Sequence, residues 1–298
     1  MTALHILVYA SVAVFIVAVV YRTVRLATTP VHLRWELYPV AHEKDRVRYG
    51  GSYFEEIDWW TKPRERSLFG EVKVMVPEIL FLKGIWEHNR SLWWWSFPMH
   101  FGLYLVIGFA ALVVSGAIVG PDTSLGVAVG RIGWVVGLIG YILGAVGAVG
   151  IFIKRMLEHK LRSFTPPAAY FNVIFLFLLF VSGLYLLGTV EDAYPVLTAF
   201  VRGLAGFSTS GALPAAATGH IAVALLFMLY LPFTHMTHFF TKYFTYHQVR
   251  WNDEPNLRGS ALERKIRRQL GYPVSWSAPH IKGDGKKTWG DVATTEVE

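Results

Sequence analysis

Eleven histidines stand in this chain, and five of them, His5, His100, His220, His235 and His238, fall in stretches free of Asp, Glu, Lys and Arg. A neutral imidazole keeps a lone pair on one ring nitrogen and a proton on the other, so a buried histidine can bind a metal, relay a proton or bridge two helices. In apolar surroundings an ionisable side chain is costly unless it finds such a partner. The chain has no cysteine, which excludes disulfides, thiolate-held iron–sulfur clusters and covalently attached c-type haem. Any metal centre here must therefore use His, Met or carboxylates.

Spacing separates the five. His220 and His238 are 18 residues apart, which in one continuous helix is five whole turns, placing both on one face about 27 Å apart. Such a helix could ligate two cofactors, one near each membrane surface. His100 lies 20 residues before Gly120, and His238 lies 20 residues after Thr218, so the two match in depth when each is counted from the outer end of its helix. Paired neutral imidazoles from two helices are the usual axial ligands of low-spin haem b, and His100 with His238 would hold its iron towards the inner side. The competing reading makes these histidines polar packing groups that hydrogen-bond between helices. His235, three residues before His238, points away from that iron axis and would donate to a haem propionate or sit at the headgroup boundary.

The elements that must carry these residues are membrane helices. Of 298 residues, 53% are hydrophobic and 15% aromatic, too apolar for an ordinary water-soluble domain. Uncharged stretches, histidine apart, run over 2–21, 91–121, 132–153, 163–190 and 203–241. Each provides the roughly 20 apolar residues that a span needs, the last after a Gly/Ser/Pro-rich loop that includes Thr209 and Ser210. The first stretch lacks a charged leader and a small-residue cleavage site, so it is expected to stay as helix I. The fold class expected is an all-α membrane protein, a bundle of five transmembrane helices. Of 28 Lys and Arg, only Arg131 and Arg202 fall outside 22–90, 154–162 and 242–298. The positive-inside rule then places the N-terminus outside and the C-terminus in the cytoplasm. The net charge of +7 reflects this asymmetry and gives no ground for nucleic acid as a partner.

Four segments follow: helix I over 1–26, a cytoplasmic insertion over 27–90, a core of helices II to V over 91–241, and a cytoplasmic tail over 242–298. The insertion is charged yet rich in aromatics, and a single amphipathic helix is expected near 71–88, lying on the membrane or on a partner protein. Helix III carries Gly133, Gly137, Gly140, Gly144 and Gly147, a small-residue face suited to close helix packing or to a flat cofactor. Helix IV reads as packing, the connection 190–215 as a loop with a short interfacial helix, and helix V as continuous from 218 to about 240.

Two motifs then carry a resemblance: Phe97-Pro98-Met99-His100-Phe101-Gly102-Leu103 opening helix II, and Leu231-Pro232-Phe233-Thr234-His235-Met236-Thr237-His238 ending helix V, with His220 upstream. Over about 92–245 plus helix I the chain resembles the gamma subunit of respiratory nitrate reductase and related membrane cytochromes b. The long 27–90 segment is more similar to the subgroup that adjoins heterodisulfide-reductase-type iron–sulfur oxidoreductases, including those fed by electron-transferring flavoprotein. The resemblance implies that His100 and His238 ligate an inner haem and that His220 is one ligand of an outer haem. It also departs from the pattern: where the nitrate reductase members carry a second histidine ten residues after the first, this chain has Ala110. His5 is the remaining histidine at outer depth and is the second outer ligand expected if that haem exists; otherwise His220 would meet a quinone carbonyl. The implied function is electron transfer between a cytoplasmic iron–sulfur subunit and menaquinone or another quinone, in a bacterial or archaeal cytoplasmic membrane, with one haem b or two. The alternative is a non-redox membrane anchor or transporter, though paired broken helices and intramembrane charges, the marks of a transporter, are not evident.

Overall fold

The computed structural model describes residues 3–29, 34–37, 39–44, 46, 48, 50–208, 211–278, 281 and 283–295; Thr209 and Ser210 lie outside them. The described residues are mostly helical and include no strand. In chain order the helices are α1 (Ala3–Thr28), α2 (Leu68–Leu80), α3 (Lys83–His88), α4 (Arg90–Val119), α5 (Ser124–Leu157), α6 (His159–Ser163), α7 (Pro167–Thr189), α8 (Ala193–Ala205), α9 (Ala215–Tyr230), α10 (His238–Phe244), α11 (Ala261–Leu270) and α12 (Trp289–Thr294). Five segments, α1, α4, α5, α7 and Ala215–Phe233, are long and apolar enough to cross a membrane. Polar punctuation sets their ends. The Asn89 side chain accepts from Leu92 N at 3.1 Å to open α4, Thr123 Oγ1 accepts from Gly126 N at 2.9 Å to open α5, and Pro167 stands in the first turn of α7, where its missing N–H costs nothing.

The chain divides into two compact units, Met1–Val19 with Met75–Thr237, and Val20–Val74 with His238–Glu298. The second unit draws on both the expected insertion and the expected tail.

In the first unit the glycine face of α5 is used for helix packing. A Cβ on Gly147 would lie 2.4 Å from the Met99 backbone N, and one on Gly102 of α4 would lie 2.4 Å from the Gly144 N. A Cβ on Gly144 would meet the Phe180 ring of α7 at 2.3 Å. Backbones and rings thus fill the room the glycines leave, and none remains there for a flat cofactor. The expected interfacial helix in 190–215 is α8, which buries Tyr194, Leu197 and Phe200.

Two expected helices are interrupted. Helix V does not run unbroken to 240: α9 ends at Tyr230, and two 3₁₀ turns, Leu231–Phe233 and His235–Thr237, precede α10. Pro232 has no N–H for the carbonyl one turn back. Thr234 is extended at φ −113°, ψ 173°, while its hydroxyl donates to Leu231 O at 2.9 Å and accepts from Met236 N at 3.1 Å. These local bonds compete with the helical ladder, and the five-turn register from His220 to His238 is lost. The helix expected over 71–88 is likewise two, α2 and α3, divided at Leu82, which takes a left-handed φ of 53°.

The second unit is knitted by ion pairs. Buried Asp253 bonds His42 Nε2 at 3.1 Å, Arg64 Nη1 at 2.9 Å and Arg66 Nη2 at 3.1 Å. Arg34 Nη1 donates to buried Glu43 at 2.8 Å, and Ser52 Oγ donates to the same carboxylate oxygen at 2.8 Å. His247 Nε2 meets Glu71 at 3.1 Å. The contacts of Asp253 and His247 join the segment after α10 to 42–71, while those of Glu43 are local to 34–52.

Candidate functional site

His100 stands in the third turn of α4, and its Nδ1 lies 2.7 Å from the Ser96 carbonyl oxygen one turn back. A carbonyl only accepts, so Nδ1 carries the proton and the neutral ring keeps its lone pair on Nε2. A metal-ligating histidine is prepared in this way, with one nitrogen donating to a backbone carbonyl and the other, made more basic by that bond, presented to the metal. The chemistry of this donor therefore fits an axial haem ligand.

His220, on α9, is buried, and both of its nitrogens are engaged. Its Nε2 lies 2.9 Å from the Tyr141 hydroxyl on α5, and its Nδ1 lies 2.9 Å from Ser182 Oγ on α7. Ser182 also donates to Leu179 O at 2.9 Å, which spends the hydroxyl proton. Ser182 therefore accepts from His220 Nδ1–H, and His220 Nε2 accepts from Tyr141 O–H. Packing closes the same spot: a Cβ on Gly183 would sit 2.3 Å from the Tyr141 ring, and Phe109 meets that ring at 6.0 Å, edge-on at 74°. The arrangement fits an iron ligand at His220 only if the Tyr141 hydroxyl leaves.

The other histidines differ in kind. His5 is buried on α1, its ring 5.0 Å from the Phe200 ring of α8. One turn on, the Tyr9 hydroxyl donates to Leu204 O at 2.5 Å, so this face of α1 packs on α8. His235 is exposed, and its Nε2 lies 3.3 Å from the buried Asn172 amide nitrogen, which donates to it. Asn172 in turn accepts from Tyr230 O–H at 2.7 Å. That leaves Nδ1–H as the donor of a neutral His235, the form a carboxylate such as a propionate could accept from. His238, exposed, is the first residue of α10 in the second unit. Tyr141, Ser182, Asn172 and Tyr230 were missed by sequence reasoning. The signal for them was their rarity, a few polar atoms in otherwise apolar helices.

Among the described residues no group of three or more His, Asp or Glu is placed to hold a metal ion. A groove of about 660 Å³ on the first unit is walled by Trp95, Ala145, Val149 and Phe177, and Lys154 and Glu158, paired at 2.6 Å, line it as well. A cavity of about 530 Å³ in the second unit is lined by Arg34, Phe54, Trp59, Trp60 and 252–257.

Fold and site together define a multi-span helical membrane protein with histidines inside its apolar helices. Comparison with protein-family models, with curated proteins and with solved structures finds no match to this chain.

Proposed function

We propose that this chain is the haem b-carrying membrane subunit of a respiratory complex, passing electrons between a cytoplasmic iron–sulfur partner and membrane quinone. One observation carries the reading: His100, inside an apolar helix, has its proton fixed on Nδ1 by the Ser96 carbonyl, which directs the lone pair to Nε2. His100 would supply one axial ligand, and the resemblance names His238 as the other. Held there, a haem would supply one-electron transfer. The chain holds the ring orientation at His100, excludes water with its apolar helices and offers the His235 Nδ1–H to a propionate. The N-terminus is taken as outside, since the basic segments favour the cytoplasm. The second unit, with its aromatic-lined cavity, is where the iron–sulfur partner would dock. In the groove beside Trp95 the quinone would lie, with the Lys154 ammonium as donor to a carbonyl.

A structural role accounts for His220 and His5, each packed against protein groups, and the anchor alternative draws support from them. A reduced-minus-oxidised visible spectrum of the purified chain decides between the two readings. We expect a haem b band that His100→Ala abolishes; a wild-type chain without the band, or a variant with its haem intact, would reject the proposal. Lys154→Ala should raise KM for a quinol analogue several-fold while the haem band stays unchanged, and an unaltered KM would remove the groove from the reading.

A further inference from the structure

We infer that His220 ligates no haem, and that the hydrogen-bonded chain Tyr141–His220–Ser182 replaces an outer haem as the link between α5, α7 and α9. This rests on the haem b reading above only for its statement of stoichiometry. The bond directions are settled group by group: Tyr141 O–H donates to His220 Nε2, His220 Nδ1–H donates to Ser182 Oγ, and Ser182 O–H donates to Leu179 O. The lone pair an iron would need is the one that accepts from Tyr141. Displacing the Tyr141 hydroxyl from His220 would strand a donor on a residue that is 1% exposed, and a buried donor without an acceptor is costly.

Three further facts point the same way. Gly183 admits the Tyr141 ring at a distance that no side chain would allow, with the hypothetical Cβ 2.3 Å from it. Phe109 fills the face of α5 at Gly137, where a Cβ would lie 3.0 Å from its ring. The neighbouring Ala110, at the position where the second histidine of helix II was expected, is exposed, so a side chain there points out of the core.

The test uses the full chain in detergent or nanodiscs, with haem per chain measured by extraction alongside thermal unfolding. Wild type should hold one haem, and His220→Ala should hold the same amount. In unfolding, Tyr141→Phe and His220→Ala should each lower the midpoint, and the double variant should lose less than the two losses added, because both remove one bond. Halved haem in His220→Ala, or two haems in wild type, would overturn the inference. Strictly additive losses would overturn it as well, and that readout holds even for a chain without haem. Absence of haem from wild type together with non-additive losses would sink the functional reading and leave the Tyr141–His220 link standing.

Discussion

His100 and His220 carry the ring proton at the same place, Nδ1, and differ in the groups around them. The Nδ1 proton of His100 goes to the Ser96 carbonyl, while that of His220 goes to Ser182 Oγ and its Nε2 accepts from Tyr141. Asn172 makes a related point. It is 3% exposed and joins Tyr230 to His235 through both ends of its amide. Replacing it with Leu keeps the branched shape and strands the Tyr230 hydroxyl, so the unfolding free energy should fall by about 1 kcal/mol, in the range of hydrogen bonds between membrane helices. Chemical unfolding in detergent measures it, and a variant as stable as wild type would show that the link contributes nothing. At this scale the sequence was legible in part. It singled out His100 and His220 because they are ionisable groups in uncharged stretches. It did not show their partners, since Tyr141 and Ser182 lie 79 and 38 residues from His220 and no local period connects such pairs.

Helix ends and glycine stripes were easier to read than helix partners. Charge-free runs marked the five spans, because a charged residue cannot stay in the apolar layer without a partner. The stripe on α5 was visible as a small-residue face, but whether a helix or a ring lay against it depends on residues far along the chain, Met99, Trp95 and Phe180. Two substitutions separate these close approaches from mere flexibility. Gly147→Leu would drive a side chain into the Met99 backbone, 2.4 Å from the Cβ position, and should prevent α4 and α5 from closing, seen as loss of a sharp thermal transition. Gly188→Ala, in α7 with nothing within 4 Å of its Cβ, should be neutral or stabilise by up to about 1 kcal/mol through helix propensity. Equal damage from both would mean that the close packing of α4 on α5 is not what the glycines serve. The break after Tyr230 was written in Pro232 and Thr234, and a period count that treats every residue as helical passes over it.

For the molecule as a whole, charge does in the second unit what apolar surface does in the first. Its central carboxylate, Asp253, is pulled two ways: burial raises its pKa, while the hydrogen bond from His42 and the charges of Arg64, His42 and Arg66 lower it more, leaving it below the ordinary aspartate value. A depressed carboxylate pKa adds stability that is full above the ordinary value and is lost as pH falls through the folded one. Hydrogen exchange in peptides covering 40–66, corrected for intrinsic rate, should therefore stay protected through neutral and mildly acidic pH, and lose protection only below the usual aspartate range. Asp253→Asn should cost about 3 kcal/mol at neutral pH, at the lower end for a broken buried pair because Arg66 is 58% exposed. It should also remove the acid transition of that segment. The segment lengths gave no hint that part of the insertion and the tail belong to one unit, because a hydrogen bond such as His42 with Asp253 spans 211 residues. If the Asn variant keeps the wild-type acid transition, Asp253 is not the group that ties the unit together.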